Sequence, residues 1–167
     1  MRRLRLPAQE ESLPIFRQLA LDEATRAGLD PAAMQRVELV LEEALVNVIR
    51  HAYTPDAPEP LAELACGVDE GGVFRLRLTD WGAPFDPVAS AGAGPGASFP
   101  GAEAGQPGEH DLHAQLESNL GADLEHRLPG GMGLFLILTM SHPAYARQGD
   151  ANVLTLSFPP ESGGSKA

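Results

Sequence analysis

The first residues that could do chemistry form a polar stripe in the segment 37–53, VELVLEEALVNVIRHAY. Apolar residues recur there at intervals of three and four, which predicts a helix with one face in a core. Glu43 and Asn47 are four residues apart, so they would stack at the border of that face, with Arg50 and His51 one turn further on. These side chains could bind a ligand, but Glu43 and Asn47 could equally hydrogen-bond to each other on a solvated edge.

Two later segments could complete a site. Asp80 opens a turn dense in glycine, proline and acid, DWGAPFDP at 80–87, directly after a predicted strand. Three glycines at 130–133 precede an apolar helix, whose N-terminal amides could bind phosphate, although glycines before helices can also be simple tight turns. A Walker A loop is absent, because the only lysine is Lys166.

The composition is that of a globular protein of one domain. The chain has 167 residues, 43% of them hydrophobic and 21% charged, and no apolar run approaches the roughly 20 residues that span a bilayer. The N-terminal segment lacks the apolar stretch of a signal peptide, so we expect a cytoplasmic protein. The single cysteine, Cys66, agrees with that and is expected in a buried strand.

The acidic balance argues against nucleic acid as a partner. A net charge of −11 would repel a phosphate backbone. A nucleotide can still be bound, because helix N-termini and a divalent cation stabilise phosphates locally. A basic protein surface is also open as a partner.

The order of elements favours a single α+β domain over residues 1–159, followed by a disordered tail at 160–167. The predicted elements are a strand at 3–6, helices at 12–28 and 30–53, and antiparallel hairpins at 61–79 and 144–158.

Residues 88–128 have the composition of a mobile lid rather than a domain. Alanine, glycine, serine and proline dominate up to residue 108, and leucines then recur every four residues, which predicts a marginal helix at 110–126. His110 and His113 could ligate a metal, but no third and fourth ligands follow at suitable spacing.

Three motifs in this order resemble those of the GHKL (Bergerat) ATP-binding fold. EALVNVIRHAY at 43–53 resembles its N box, DWGAPFDP at 80–87 its first glycine box, and GMGL at 131–134 its second. The HAY ending and the PFDP wording are most similar to anti-sigma factor serine kinases of the RsbW/SpoIIAB type. The resemblance extends from the first strand to Phe158 and places the ATP lid in the segment 88–128.

The resemblance implies a two-layer α/β sandwich with a mixed, mostly antiparallel sheet and helices on one face, binding ATP and Mg²⁺. Asn47 would coordinate Mg²⁺ through its carboxamide oxygen. Glu43 would accept the proton of an attacking hydroxyl. Asp80 would accept a hydrogen bond from the adenine amino group, and Gly82 would give room for the base.

At the other positions the resemblance assigns supporting roles. Gly131 and Gly133 would bind phosphates through their amides, and Thr155 would support the adenine end. Arg50 or Arg127 could stabilise the transferring charge.

The implied reaction is transfer of the γ-phosphoryl group of ATP to a serine or threonine of a STAS-domain anti-sigma factor antagonist. A sigma factor would be a second partner, and a homodimer is possible. The alternative is an ATP-binding regulatory module that binds a protein without phosphoryl transfer. A second rival is the ATPase part of a two-component histidine kinase, but we expect no dimerisation helix bearing a phospho-accepting histidine before the domain, which argues against it. A third rival is a structural domain without a ligand.

Two features depart from the family pattern. The lid region is long and glycine-rich compared with compact members, which bears on lid closure and turnover. After the second glycine box, TMSHP at 139–143 replaces the usual acidic residue near the helix end, which bears on the identity of the partner.

Overall fold

The computed structural model describes residues 1–92 and 131–160. Its strands and helices, in chain order, are β1 Arg2–Pro7, α1 Leu13–Arg26, α2 Pro31–Asn47, β2 Leu61–Val68, β3 Phe74–Asp80, α3 Pro87–Gly92, α4 Gly131–Met140, β4 His142–Gln148 and β5 Ala151–Phe158. A short 3₁₀ turn precedes α1, and one π-helical turn, Val48–Ala52, follows α2.

The strands form one sheet in the order β1-β2-β3-β5-β4. The predicted α+β fold is confirmed, and so are both hairpins. Every pairing between the described strands is antiparallel, so this part of the sheet is not mixed. Short turns join β2 to β3 and β4 to β5, and such turns permit only antiparallel neighbours.

Alternation along β3 separates the two faces of the sheet. Phe74, Leu76 and Leu78 are buried in the core that also contains the apolar faces of α1 and α2. Arg75 and Arg77 lie on the opposite face. The main helical contributions to the core are Phe16, Val37, Val40, Leu41 and Leu45.

The start of α2 follows the sequence prediction, but its end does not. The Asp30 carboxylate caps the helix by accepting a hydrogen bond of 2.8 Å from the amide of Ala33, and Pro31 is the first helical residue. Sequence periodicity predicted one helix through Tyr53, whereas regular α geometry ends at Asn47. Hydrophobic spacing does not distinguish a single π turn from the end of an α-helix, so the π turn was missed.

Several sequence predictions fall on residues outside the described ranges. They are the helix at 110–126, the His110 and His113 pair, Arg127, and the tail beyond residue 160. Of the predicted lid, only the first residues are described, and they belong to α3. None of the helices in 1–92 and 131–160 combines the length and apolarity needed to cross a membrane.

We expect the core between sheet and helices to be sensitive to cavities. Leu76 is fully buried at the centre of β3, so Leu76→Ala should lower the free energy of unfolding by about 2 to 5 kcal/mol. Ile15 on α1 is 51% exposed, and Ile15→Ala should change the free energy of unfolding by less than about 0.5 kcal/mol. Urea denaturation of both variants checks this, and equal effects would contradict the assignment of the core.

Candidate functional site

An open cleft lies between the end of α2 with its π turn on one side and the sheet and α4 on the other. Most of its lining is apolar. The polar residues that line it are Asn47, His51, Asp80, Tyr145 and Asn152. The cleft therefore brings together residues from the first and second sequence motifs with a part of the last hairpin.

Asp80 is the buried carboxylate of this cleft. It ends β3, and its Oδ1 accepts hydrogen bonds from the amide of Gly82 at 2.9 Å and from Nδ2 of Asn152 at 2.8 Å. Burial raises the pKa of Asp80, while these two bonds and the nearby Arg147 act in the opposite direction. Both bonds end on the same oxygen, so the carboxylate is held in one orientation.

Sequence reasoning missed Asn152 as a site residue. It lies directly opposite Asp80 in the β3–β5 pairing. Its Nδ2 also donates to the carbonyl of Ala83 at 2.9 Å, and its Oδ1 accepts from the Tyr145 hydroxyl at 2.7 Å and from Nη1 of Arg147 at 2.8 Å. Asn152 is identified by the register in which β3 and β5 pair. The sequence does not show this register, because the two strands are far apart in the chain.

Thr155, which the sequence placed at the adenine end, is not brought to the cleft. It pairs with Arg77, whose side chain lies on the face of the sheet away from the helices. Thr155 is three residues from Asn152, and an odd spacing along a strand puts two side chains on opposite faces. The position opposite Asp80 is therefore held by Asn152.

Gly82 lies against the π turn. A Cβ at Gly82 would lie 2.0 Å from the carbonyl oxygen of Ala52, and that oxygen accepts a hydrogen bond of 2.9 Å from the amide of Ala83. A side chain at Gly82 would push the turn after β3 away from the π turn that follows α2. The close approach of two backbones thus explains the glycine, and its role in making room for a base stays a prediction.

Asn47 lines the cleft with an unsatisfied amide. Its Nδ2 is buried and has no hydrogen-bond partner among the described residues. The alternative in which Asn47 donates to Glu43 is therefore not what the structure contains. A buried polar group without a partner is costly, and a polar ligand in the cleft would satisfy it.

Glu43, one turn before Asn47, lies against the start of α4. A Cβ at Gly133 would lie 2.4 Å from Oε2 of Glu43, so any side chain at position 133 would displace the Glu43 carboxylate. Helix α4 begins at Gly131, as the third motif predicts, and its first turn carries amides without intrahelical partners. The carboxamide of Asn47, the acceptor of Asp80 and these amides fit a nucleotide with Mg²⁺.

The two remaining members of the polar stripe differ in position. His51 lines the cleft, whereas Arg50 is exposed and is not part of the lining. Among the described residues, no group of three or more histidine, cysteine, aspartate or glutamate side chains could hold a metal ion. An ion here would depend on Asn47 and on ligands that come with a nucleotide.

Comparisons with known proteins concern the family and the fold. Residues 6–158 match the family described as histidine kinase-like ATPase domain. No curated protein matches the chain. Its fold is similar to a chain in the crystal structure of the SiaB–SiaC complex from Pseudomonas aeruginosa, with a TM-score of 0.50 and 14% identity, covering 94% of this chain and 88% of that chain. At this identity the likeness shows the fold alone.

Asp80→Asn should keep the fold, because the Asn oxygen can accept the same two hydrogen bonds. Burial raises the pKa of Asp80 in the folded state above its value in the unfolded chain. The folded wild type therefore binds the proton of the Asp80 carboxyl group more tightly than the unfolded chain does. The wild type should therefore gain stability relative to Asp80→Asn as the pH falls through the folded pKa, and the gain should level off below the ordinary carboxyl pKa. Urea denaturation of both proteins from pH 7 to about pH 3 measures this, and a difference independent of pH would contradict it.

Proposed function

The chain belongs to the histidine kinase-like ATPase domain family, and on that premise we propose that it is an anti-sigma factor-like serine/threonine protein kinase. It binds Mg·ATP and transfers the γ-phosphoryl group to a hydroxyl of a STAS-domain anti-sigma factor antagonist. The observation that carries the proposal is one cleft that holds the fixed carboxylate of Asp80 and the unsatisfied amide of Asn47.

The adenine end of the cleft is at Asp80. The apolar lining, which includes Leu78 and Ile137, suits a flat aromatic base, and a buried carboxylate at its end suits a donor on that base. The amino group of adenine is such a donor. Asn152 and Gly82 keep the carboxylate oriented before the nucleotide arrives, which reduces the entropy cost of binding.

The phosphate end is at Asn47 and the first turn of α4. Asn47 would hold Mg²⁺ through its carboxamide oxygen, and the amides of Gly131 and Gly133 would bind phosphate oxygens. The bound ion would neutralise charge on the phosphates during transfer. Apart from this ion, the groups that contact the nucleotide in this proposal all belong to the protein.

Glu43 is the proposed general base. It accepts the proton of the attacking serine or threonine hydroxyl, whose oxygen forms a bond to the γ-phosphorus while the bond to the bridging oxygen of ADP breaks. ADP leaves with that electron pair. Contact with Gly133 at the start of α4 positions the Glu43 carboxylate beside the helix that binds phosphate.

The partners belong to the same proposal. The similar fold in the SiaB–SiaC complex comes from a protein crystallised with another protein, which supports a search for a protein substrate. We propose a STAS-domain antagonist as the substrate, a sigma factor as a second partner, a cytoplasmic location, and a possible homodimer.

Glu43→Gln should reduce phosphoryl transfer by about 10² to 10⁴-fold, because it removes the proton acceptor, and should leave Mg·ATP binding within about twofold. Incubation with labelled ATP and the STAS proteins of the same source measures transfer, and calorimetry measures binding. Glu42→Gln is the matched control, since the adjacent carboxylate is exposed and lines the groove between α1 and α2 instead of the cleft.

The outcomes of that experiment separate the competing functions. Unchanged transfer in Glu43→Gln would remove Glu43 from the chemistry. A wild type that binds Mg·ATP but phosphorylates no STAS protein would favour a regulatory module without transfer. A wild type that gives no heat with Mg·ATP would favour a domain without a nucleotide.

Gly133→Ala should change the position of the Glu43 carboxylate without destabilising the fold. The new Cβ would meet only the flexible end of Glu43, so the carboxylate should move while the helix gains the better propensity of alanine. We expect the melting temperature to be kept and transfer to fall about 100-fold, the cost of displacing a catalytic group by roughly 1 Å. Gly71→Ala in the β2–β3 turn, where a Cβ meets only ordinary contacts, should leave both quantities unchanged.

A further inference from the structure

A chain of hydrogen bonds joins the edge strand β4 to the cleft through Asn152. The amide of Asn152 is buried, and all of its hydrogen-bonding capacity is in use. Its two N–H groups donate to Asp80 and to the carbonyl of Ala83. Its oxygen accepts from Tyr145 and from Arg147.

Groups on both sides of this amide fix the way it faces: Asp80 and the carbonyl of Ala83 only accept and so require its NH₂ group, and the two residues on β4 hold its oxygen. The Tyr145 hydroxyl can donate or accept, but a guanidinium only donates. Arg147 therefore requires the oxygen of the Asn152 amide on the β4 side, which leaves the NH₂ group facing Asp80. The same Nη1 of Arg147 also donates to the carbonyl of Gly82 at 3.1 Å, so it ties the turn after β3 to the edge strand.

This orientation has a consequence for the base end of the cleft. Because both N–H groups of Asn152 are in use, that amide offers no donor to a ligand, and Asp80 offers an acceptor. A purine with an amino group at C6 donates to Asp80. A purine with a keto group at C6 places an acceptor against the carboxylate and finds no donor on Asn152, which is unfavourable. The N1–H of such a base can donate to Asp80 only if the carboxylate leaves the orientation in which Asn152 and the amide of Gly82 hold it.

We propose that Tyr145 and Arg147 are positioning residues that select 6-aminopurine over 6-ketopurine nucleotides by fixing the amide of Asn152. The proposal rests on the proposed function, since it concerns the base end of the same cleft. Arg147 is exposed and is not part of the cleft lining, so it acts through Asn152 and through the carbonyl of Gly82. Tyr145 lines the cleft, but its hydroxyl is bonded to Asn152.

The test compares Mg·ATP with Mg·ITP, whose bases differ in the C6 substituent and in the proton that hypoxanthine carries on N1. Calorimetry gives both affinities for the wild type, Tyr145→Phe, Arg147→Ala and Arg147→Lys. Each of the first two variants should lower the ratio of ATP to ITP affinity by about tenfold, since each frees the Asn152 amide from one hydrogen bond and so lets the Asp80 carboxylate shift towards the N1–H of hypoxanthine. Arg147→Lys keeps a donor and should restore part of the ratio.

Arg77→Ala is the matched control. Arg77 is also an arginine of the sheet, its side chain donates to Gln148, and it lies on the face of the sheet opposite to Asn152. Its loss should leave the ATP to ITP ratio unchanged. Tyr145→Phe removes a single oxygen atom, so it keeps the test available if Arg147→Ala does not fold.

The outcomes distinguish this inference from the function on which it rests. A wild type that binds neither nucleotide overturns the proposed function and the inference together. A wild type that prefers ATP, with the same ratio in Tyr145→Phe and Arg147→Ala, overturns the inference alone, because the two residues would then be structural. A lowered ratio in these variants with an unchanged ratio in Arg77→Ala supports it.

Discussion

The arrangement of the cleft depends on one buried carboxylate. Removing Asp80 from water is unfavourable, and the hydrogen bonds from Asn152 and the amide of Gly82 offset that cost. These bonds require β3 and β5 in a single register, with Asp80 opposite Asn152. They also require the chain to turn at Gly82 directly after the strand. The position of the acceptor is thus set by backbone geometry on two strands, which are rigid supports for a binding group.

The second constraint is the contact between that turn and the end of α2. The carbonyl of Ala52 accepts the amide of Ala83, and no side chain fits between them at Gly82. The contact fixes the distance between the helix that carries Asn47 and the strand that carries Asp80. A π turn at the end of α2 provides the carbonyl, in keeping with the frequent occurrence of π geometry at functional sites.

The face of the sheet away from the helices is covered in a different way. Arg3 and Arg5 form ion pairs with Glu63, and Arg75 pairs with Asp69. The guanidinium of Arg5 also lies 4.4 Å from the centre of the Trp81 ring, next to Asp80 in the chain. Ala65 on this face is buried, and its cross-strand neighbours are Arg3 and Arg77, whose long stems can cover small residues.

The sequence by itself determined the elements whose signals are local. Alternation predicted β3, the Asp30-Pro31 pair predicted the start of α2, and Glu43, Asn47 and Asp80 were candidates because of their spacing and neighbours. Only the tertiary structure decided what depends on contacts between distant segments: the π turn, the place of Asn152 opposite Asp80, and the position of Thr155 on the far face. The physical reason is that strand register and backbone approach arise from packing, which local periodicity does not encode.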